Sequence, residues 1–427
     1  MKLSDLSADA PVFRRLVAPL GECLSKNPHG RSCPSITDAE WLETGVLKVV
    51  EDQRTGRGFL QKLFHLGRRI SVGNYFASLR SPRRLLHLRW VLTTLLGIIK
   101  TRRAGFDQLS CYEDLNGFDI HAGDGHFHAH ASHDKKVEDA NLPVEHFYSL
   151  NLRTLALNHL TMAQVGDGVK REHDMSALKR EHHDTLRQGA EKGRKVLYVW
   201  DRASIGFEFW EKLKQRSGIY YITRSKKNLK FTEEETLHFD HNDPVNNGVL
   251  YDQMVKTKTD GHLVRRVIFR CPIRNETFSF LTNLPRSVRP GVIAHLYRMR
   301  WEVEKVFDEI KNRLYEKKAW SSNDNGKVAQ ALFICITHNL LRLLEDEIQS
   351  EGVENRQDPQ RRQARLTKSI EKSKVKSDKV PLMLLTIQRV VQRSTIFIRW
   401  LRIHLTTHAP WRCALEALSG AYEAFSR

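Results

Sequence analysis

The sequence predicts an α/β protein in which a mixed sheet is flanked by helices, with further helical regions at both ends of the chain. Three observations carry this prediction. Short apolar stretches with strand-like alternation fill residues 118–161, and the near-continuous apolar run at 195–200 is typical of a buried central strand. Apolar residues then recur at helical spacing over 289–314 and 328–344. With 427 residues, the chain has room for two or three domains of about 150 residues.

The composition is that of a folded protein with a polyanionic partner. Apolar residues make up 40% of the chain and charged residues 28%, which excludes wholesale disorder and a collagen-like fibre. The 69 Lys and Arg residues exceed the 50 Asp and Glu residues, so the net charge is +19. Such a balance favours nucleic acid as the partner, with an anionic membrane surface as the second candidate.

No membrane span, secretion signal or structural zinc site is predicted. The longest apolar run in the N-terminal third, at 91–99, is nine residues long, whereas a membrane span needs about 20. Charged residues and proline interrupt the first 20 residues, which therefore lack the apolar core of a signal peptide. The six cysteines form no C-x-x-C pair. We expect a cytoplasmic protein with reduced thiols.

The N-terminal region, residues 1–110, is predicted to be helical, basic and DNA-binding. Residues 53–106 contain twelve Lys or Arg and no Asp or Glu. Ser81 is a suitable N-cap and Pro82 a suitable first residue for a helix over 83–103. The alternative is an ordinary solvated basic face, but the absence of acids favours contact with phosphates. The arginines expected to contact DNA are Arg54, Arg68, Arg69, Arg83 and Arg84.

The rest of the chain divides by its sequence pattern. Strand-like segments at 219–223, 249–255, 262–270 and 277–281 predict a β-rich block. Residues 356–379 are basic with few large apolar side chains, which predicts an exposed linker or loop, and 382–405 is helical in period. The expected division is a core in two parts (111–218 and 288–345), a β-rich insertion (219–287), a basic linker (346–380) and a helical C-terminal region (381–427).

Two aspartates follow predicted strands and are candidate site residues. Asp201 comes directly after the buried strand, where an α/β sheet presents its active-site residues, although a helix N-cap is an equally good explanation of its position. Asp124 lies between two glycines, which leave room for a ligand. By itself, that pattern is better explained by a Gly-Asp-Gly turn.

Four polar residues share one face of the helix predicted over 289–314. At about 100° per residue, Tyr297, Arg300, Glu304 and Lys311 fall within about 60° of one another. An adjacent apolar face should bury the helix against the core; it consists of Met299, Val303, Val306, Phe307, Ile310 and Leu314. A simple surface pair between Glu304 and Lys311 is disfavoured, because the usual offset is three or four residues, not seven.

The arrangement Tyr-x2-Arg-x3-Glu-x6-Lys resembles the signature of bacterial insertion-sequence transposases of the DDE class, the IS-four group. The resemblance extends to Asp201-Arg202-Ala203 after an apolar strand, to the Leu-Thr-Asn-Leu stretch at 281–284 and to Asp124-Gly125. It covers roughly residues 110–345.

This resemblance implies a ribonuclease H-like sheet with a β-strand insertion between the second and third catalytic acids. The acids would be Asp124, Asp201 and Glu304, which would also hold two Mg²⁺ ions, with Mn²⁺ as an alternative. Hard divalent cations prefer oxygen ligands, and a metal pair can activate a nucleophile and stabilise a leaving oxygen. Arg300 and Lys311 would contact DNA phosphates, and Tyr297 would hydrogen-bond or stack beside them.

The implied function is that of a transposase that binds the terminal inverted repeats of its element, cuts double-stranded DNA there and joins the ends to target DNA. The implied partners are DNA and, in the DNA complex, a second copy of the chain, in the bacterial cytoplasm at the nucleoid. The tail at 382–405 is the expected contact between copies, or else packs on its own core. The alternative functions are a catalytically inactive DNA-binding relative and a nuclease of the same fold.

Other residues compete for these roles. Asp119 is the rival first acid, but it is five residues from Asp124 and would point to the opposite face of an extended strand. Asp308 neighbours Glu304 on the helix. A histidine cluster around Asp124 is a rival metal site for zinc or iron; its members are His121, His126, His128, His130 and His133.

Overall fold

A computed structural model describes most of the chain. The described residues are 10–25, 28, 36–51, 55–67, 70–134, 143–164, 172–373, 380–381, 384 and 391–425. The predicted architecture, a mixed sheet flanked by helices, is confirmed.

The described residues of the N-terminal region form five helices. They are α1 (Pro11–Ser25), α2 (Asp38–Val50), α3 (Gly56–His65), α4 (Val72–Arg80) and α5 (Pro82–Arg102). The predicted start of α5 is confirmed, because the Ser81 hydroxyl accepts a hydrogen bond from the Arg84 amide and Pro82 is the first helical residue. The apolar sides of these helices pack into the main core of the protein.

Nine strands form one sheet. They are β1 (Phe118–His128), β2 (Val144–Asn151), β3 (Leu157–Met162), β4 (Lys195–Val199), β5 (Ile219–Arg224), β6 (Phe231–Thr236), β7 (Val249–Thr257), β8 (Leu263–Cys271) and β9 (Glu276–Thr282). Their spatial order is β3-β2-β1-β4-β5-β9-β8-β7-β6. The pairs β1–β4 and β4–β5 are parallel, and the other pairs are antiparallel.

The β-rich block between 219 and 287 continues the same sheet. Strand β9 pairs with β5, and β8, β7 and β6 follow outwards. Sequence patterns predicted four of these strands but not β6, which carries Glu233, Glu234 and Glu235 and is almost wholly exposed. An edge strand that is exposed to solvent buries no face and needs no apolar alternation. Its charged side chains also discourage pairing with another chain.

Helices cover both faces of the sheet. On one face, Tyr198 of β4 and Trp200, which directly follows the strand, pack with α6 (Asp174–Arg180), α7 (His183–Arg187) and α8 (Phe207–Ser217). On the other face, Leu197 and Val199 join the core formed with α9 (Pro290–Met299), α10 (Trp301–Asp308) and α11 (Asp324–Ser350). The near-continuous apolar run of β4 is thus explained by burial on two sides.

Helix α11 lies at the centre of the helical layer. It contacts α1, α2, α4, α5 and β3. By length and composition it could cross a membrane, but 94% of its most apolar window is buried inside the protein, which is the environment of a core helix.

The C-terminal segment differs in part from its prediction. Most of the stretch predicted as an exposed linker or loop forms the exposed helix α12 (Gln357–Ser373), because its Gln, Arg, Lys and Ala residues are good helix formers. Within the described residues 391–425, two helices follow, α13 (Thr395–His404) and α14 (Trp411–Phe425). Of the predicted helix at 382–405, residues 382–383 and 385–390 lie outside the described residues.

The tail packs on its own chain. Phe397, Trp400, Leu401 and Leu405 are at least 96% buried, and the Trp400 indole N–H donates to the Ala414 carbonyl. These side chains are therefore not free to contact a second copy, and the alternative given for the tail, packing on its own core, describes them.

Candidate active site

The parallel pairing of β1 with β4 places Asp124 and Asp201 side by side, just beyond the last paired residues of the two strands. The two strands are parallel neighbours with Ala122 opposite Val199, so each aspartate lies two residues beyond a paired position. The glycines around Asp124 are required by packing. A Cβ atom at Gly123 would lie 2.5 Å from the Trp200 ring, and one at Gly125 would lie 2.8 Å from a Glu145 carboxylate oxygen.

The Gly-Asp-Gly turn proposed as an alternative for Asp124 is wrong. Residues 123–125 lie within the continuous strand β1, and Asp124 is paired with Tyr148 of β2. Its carboxylate therefore projects from a strand, not from a turn.

Asp201 is held by a tight turn. Its Oδ1 accepts a hydrogen bond from the Ala203 amide at 2.7 Å, and its carbonyl accepts one from the Thr223 hydroxyl of β5 at 2.5 Å. The N-cap position of α8 belongs to Gly206. The N-cap explanation of Asp201 is therefore wrong.

Arg300 joins Asp124 to Glu304. Its Nη1 donates to Asp124 Oδ2 at 2.8 Å and its Nη2 donates to Glu304 Oε1 at 2.5 Å. The Arg300 side chain is 7% exposed, and the carboxylates are 23% and 33% exposed. One guanidinium thus bridges an acid from the sheet and an acid from the helical layer.

The charges of the other two acids act on Asp124. Burial raises the pKa of Asp124 to about 6; Arg300 and the Gly125 amide oppose this rise, and the charges of Asp201 and Glu304 add to it. Burial disfavours the charge of Arg300, but the acidic neighbours outweigh that effect and raise its pKa. The site is therefore acidic, partly open and neutralised in part by one internal cation.

Tyr297 lies beside the bridge. Its ring contacts that of Phe280 at 4.8 Å, and the Arg300 guanidinium carbon lies 5.8 Å from the ring centre. Burial raises the pKa of Tyr297, so the phenol stays protonated at neutral pH.

The helix predicted over 289–314 is interrupted twice. Helix α9 ends at Met299, Arg300 lies at the junction, and α10 continues to Asp308. A π-helical turn then occupies Glu309–Arg313. A π-turn winds through fewer degrees per residue than an α-helix, so the angle predicted for Lys311 from a regular helix does not hold. Lys311 is exposed, and its charge acts on His126.

The apolar face of this segment is confirmed. All six side chains predicted to bury it are 0–8% exposed, namely Met299, Val303, Val306, Phe307, Ile310 and Leu314. This packing orients Glu304 towards β1.

Both rival acids have other partners. Asp119 lies opposite Val196 on β4 and accepts a 2.8 Å hydrogen bond from the Arg194 guanidinium. Asp308 accepts hydrogen bonds from the side chains of Asn312 and Gln392.

Three members of the histidine cluster, His121, His126 and His128, are buried, whereas His130 is half-buried and His133 is exposed. His126 and His128 lie on β1, where the His126 ring stacks on Phe307 and His128 Nδ1 lies 3.1 Å from the Glu316 carbonyl. Burial lowers the pKa of His126 to about 3 and that of His128 to about 4, so both are neutral at pH 7. Across the described residues, only the exposed group His182, His183 and Asp184 places three possible metal-ligand atoms near one another. The arrangement of the predicted cluster is thus not that of a zinc or iron site.

The predicted DNA-contacting arginines have different surroundings. Arg83 makes a two-point hydrogen bond with Asp38 at 2.8 and 2.9 Å. Arg84 is 8% exposed, lies over the Trp41 ring and donates to the Ile36 carbonyl. Arg54, Arg68 and Arg69 lie outside the described residues.

Sequence reasoning missed the residues that bind the helical segment 301–313 to the C-terminal part of the chain. Glu302 accepts a hydrogen bond from the Val391 amide at 3.2 Å, and Glu309 pairs with Arg393 at 2.6 Å. The partners are 84 to 89 residues apart in the chain, so no local spacing could indicate them.

The three carboxylates suit a divalent cation by donor chemistry, but among the described residues their oxygens do not all lie within 4.8 Å of one another. Asp124, Asp201 and Glu304 offer only oxygen donors, which Mg²⁺ and Mn²⁺ prefer. The Arg300 guanidinium, held between Asp124 and Glu304, already places positive charge in this gap.

Comparison with known proteins supports the family resemblance found in the sequence. The family described as the transposase DDE domain matches residues 117–340, slightly more than half of the chain. A predicted transposase named y4zB, from Sinorhizobium fredii, is 28% identical over 157 residues, which are 35% of this chain and 42% of that protein. A predicted transposase for the insertion sequence element IS4SA, from Synechocystis, is 26% identical over 168 residues, 38% of this chain and 44% of that protein. Each match spans less than half of the relative's length.

Proposed function

The chain belongs to the family of transposase DDE domains, and on this basis we propose that it binds the terminal inverted repeats of an insertion sequence and catalyses metal-dependent cleavage and strand transfer. The observation that supports the proposal is the bridge that Arg300 makes between two acids from separate elements. Asp124 is bridged to Glu304 through Arg300 and its pKa responds to the charge of Asp201.

The three carboxylates would hold two Mg²⁺ ions, or Mn²⁺ in their place. When bound, such an ion pair activates water or a 3′-hydroxyl and stabilises the departing oxygen. In this chain, Asp124 lies within β1 and Asp201 follows β4, each two residues beyond the last β1–β4 pair, so that pairing sets their relative position. Glu304 is oriented by the buried apolar face of α10. The arrangement is thus rigid before any ligand arrives, which favours catalysis.

Basic and aromatic residues near the acids would hold the DNA. We propose that Arg300 and Lys311 contact phosphates and that the Tyr297 ring packs beside the Arg300 guanidinium. Such contacts position the DNA and carry no sequence information by themselves.

The N-terminal region would add phosphate contacts. We retain Arg54, Arg68 and Arg69 in this role and exclude Arg83 and Arg84, because both are engaged within the protein. Exposed basic side chains of the same region, Arg57, Arg80 and Arg89, are better candidates. Deleting several of these charges should flatten the dependence of DNA affinity on salt, at about 0.9 in the log–log slope for each lost contact.

We also propose how many copies of the chain act together and how each chain is divided. Two copies would hold two DNA ends in the bacterial cytoplasm, at the nucleoid, through surfaces other than the buried tail. The 111–218 and 288–345 segments would form the catalytic core, and 219–287 would act as an extension of its sheet.

A cleavage assay tests the proposal. The substrate is a duplex copied from the DNA that flanks the coding sequence, supplied with Mg²⁺ or Mn²⁺, and a pre-cut end tests joining. Asp124→Asn, Asp201→Asn and Glu304→Gln should each abolish both steps and leave DNA binding nearly unchanged. Asp308→Asn, which removes an exposed charge four residues from Glu304, is the matched control and should remain active.

Each contrary result has a separate meaning. Cleavage that survives Glu304→Gln would refute the assigned acids. Cleavage without joining of a pre-cut end would favour the nuclease alternative, and binding without either step would favour the inactive relative.

A further inference from the structure

Arg300 occupies the position between two acids that a divalent cation would share. Its two terminal nitrogens donate to different carboxylates, one to Asp124 and one to Glu304. A guanidinium and a metal ion both neutralise carboxylate charge, and two cations in one narrow gap repel each other. Metal binding by these acids therefore requires Arg300 to give up at least one of its partners.

Arg300 is itself buried, at 5% exposed, but its acidic partners border the solvent. The guanidinium lies under acids that are 23% and 33% exposed, so solvent and ligands reach the site. Its Nε has no hydrogen-bond partner among the described residues. Arg300 is also at the junction of α9 and α10, where its amide is shared between the carbonyls of Leu296 and Tyr297 at 3.2 and 3.3 Å. The side chain is held by its charge and not by a closed set of contacts.

DNA offers a competing partner for this guanidinium. Phosphate oxygens accept two parallel hydrogen bonds from arginine as well as carboxylates do. The neighbouring Trp301 ring is 56% exposed and lies 5.6 Å from the Arg300 guanidinium carbon, so the surface beside Arg300 is open.

We propose that Arg300 is an internal counter-cation that keeps divalent metal out of the Asp124–Glu304 gap in the free protein and moves to a phosphate when DNA binds. Metal loading is thereby coupled to DNA binding. The free protein carries no loaded metal pair that could cut DNA at random. This inference rests on the proposed function, since it takes the three acids to be the metal ligands.

The coupling is tested by Mn²⁺ binding, measured by electron paramagnetic resonance on the full chain at pH 8. Without DNA, Arg300→Gln should bind Mn²⁺ roughly tenfold to a hundredfold more tightly than the wild type, because a charge-assisted hydrogen bond no longer competes. Adding the flanking-sequence duplex should tighten Mn²⁺ binding to the wild type and change the variant little.

Two further variants control the result. Arg300→Lys keeps the charge but cannot bridge two carboxylates with a planar fork, so its affinity for Mn²⁺ should lie between the other two. Lys305→Gln removes a positive charge from the same helix, at a side chain that pairs with Glu302, and should bind Mn²⁺ as the wild type does. Circular dichroism confirms that each variant is folded.

The outcomes distinguish failure of the counter-cation role from failure of the proposed function. If Arg300→Gln binds Mn²⁺ no more tightly than the wild type while Glu304→Gln still weakens binding, the counter-cation role is wrong and the metal site stands. If Glu304→Gln and Asp201→Asn leave Mn²⁺ binding unchanged, the acids are not the metal site and the proposed function fails with it.

Discussion

Two arginine–carboxylate groups lie along one helical segment and differ in their access to solvent. Arg300 bridges Asp124 and Glu304 with acids that are 23% and 33% exposed. Five residues beyond Glu304, Glu309 pairs with Arg393, and both side chains are at most 1% exposed. The chemistry of the two groups is the same, so exposure alone separates a group that can exchange partners from one that cannot.

The buried group is closed by further contacts. The Arg393 amide donates to Glu309 at 2.5 Å, its Nη2 donates to the His338 carbonyl at 2.9 Å, and its Nε lies 3.0 Å from Glu345. The nearby acids outweigh burial and raise the pKa of Arg393. Every charge is matched at short range, so this group fixes the C-terminal segment against the helical segment that carries Glu304.

Breaking the buried group should have the largest effect on stability. Arg393→Met leaves Glu309 as an uncompensated buried charge, which costs about 3–5 kcal/mol. Arg300→Met should cost much less, because water can solvate Asp124 and Glu304. Urea denaturation of both variants measures the difference, and equal losses would contradict the distinction drawn between the two groups. Glu309→Leu added to Arg393→Met should recover part of the loss.

The open group should show a pH dependence. The pKa of Asp124 is about 6 in the folded protein against an ordinary 3.8, so between these values the folded state binds more protons than the unfolded state. The stability that this carboxyl confers is full below about pH 3.8 and is lost as pH rises through about 6, by up to roughly 3 kcal/mol.

Asp124→Asn isolates this effect. The variant should gain stability relative to the wild type as pH rises from 4 to about 7, and denaturation at several pH values measures the gain. A difference between the two proteins that does not change with pH would show that Asp124 titrates normally.

Local sequence patterns predicted most of the fold. Of the two arginine–carboxylate groups, they indicated only the open one, through Arg300 and Glu304. The strands at 195–200 and 219–223, the Ser81-Pro82 helix start and the apolar face of α10 follow from short-range periodicity, and the structure confirms them. Edge strand β6 lacks apolar alternation, and the π-turn at Glu309–Arg313 continues the apolar face through Ile310, so no local pattern marks its change of winding.

The contacts within the site are beyond local patterns. The spacing of Arg300 and Glu304 places them on one helical face, but the bond from Arg300 to Asp124 spans 176 residues, and that from Arg393 to Glu309 spans 84. Composition and spacing contain no information about such pairs, which arise only once the sheet and the helical layer have packed together.

A third arginine–carboxylate pair is exposed to solvent, and its loss should have the smallest effect on stability. Arg286 and Glu235 form a two-point contact at 2.7 and 2.5 Å, with geometry as good as that of the buried groups, yet their side chains are 61% and 46% exposed. Water screens the attraction, and ordering two long side chains costs entropy, so such pairs contribute about 0–1 kcal/mol. Arg286→Gln should therefore change the free energy of unfolding by less than about 1 kcal/mol, and this small change should shrink further in high salt. A loss as large as that of Arg393→Met would mean that geometry, and not exposure, sets the strength of these pairs, and the separation of the open group from the buried one would then have no physical basis.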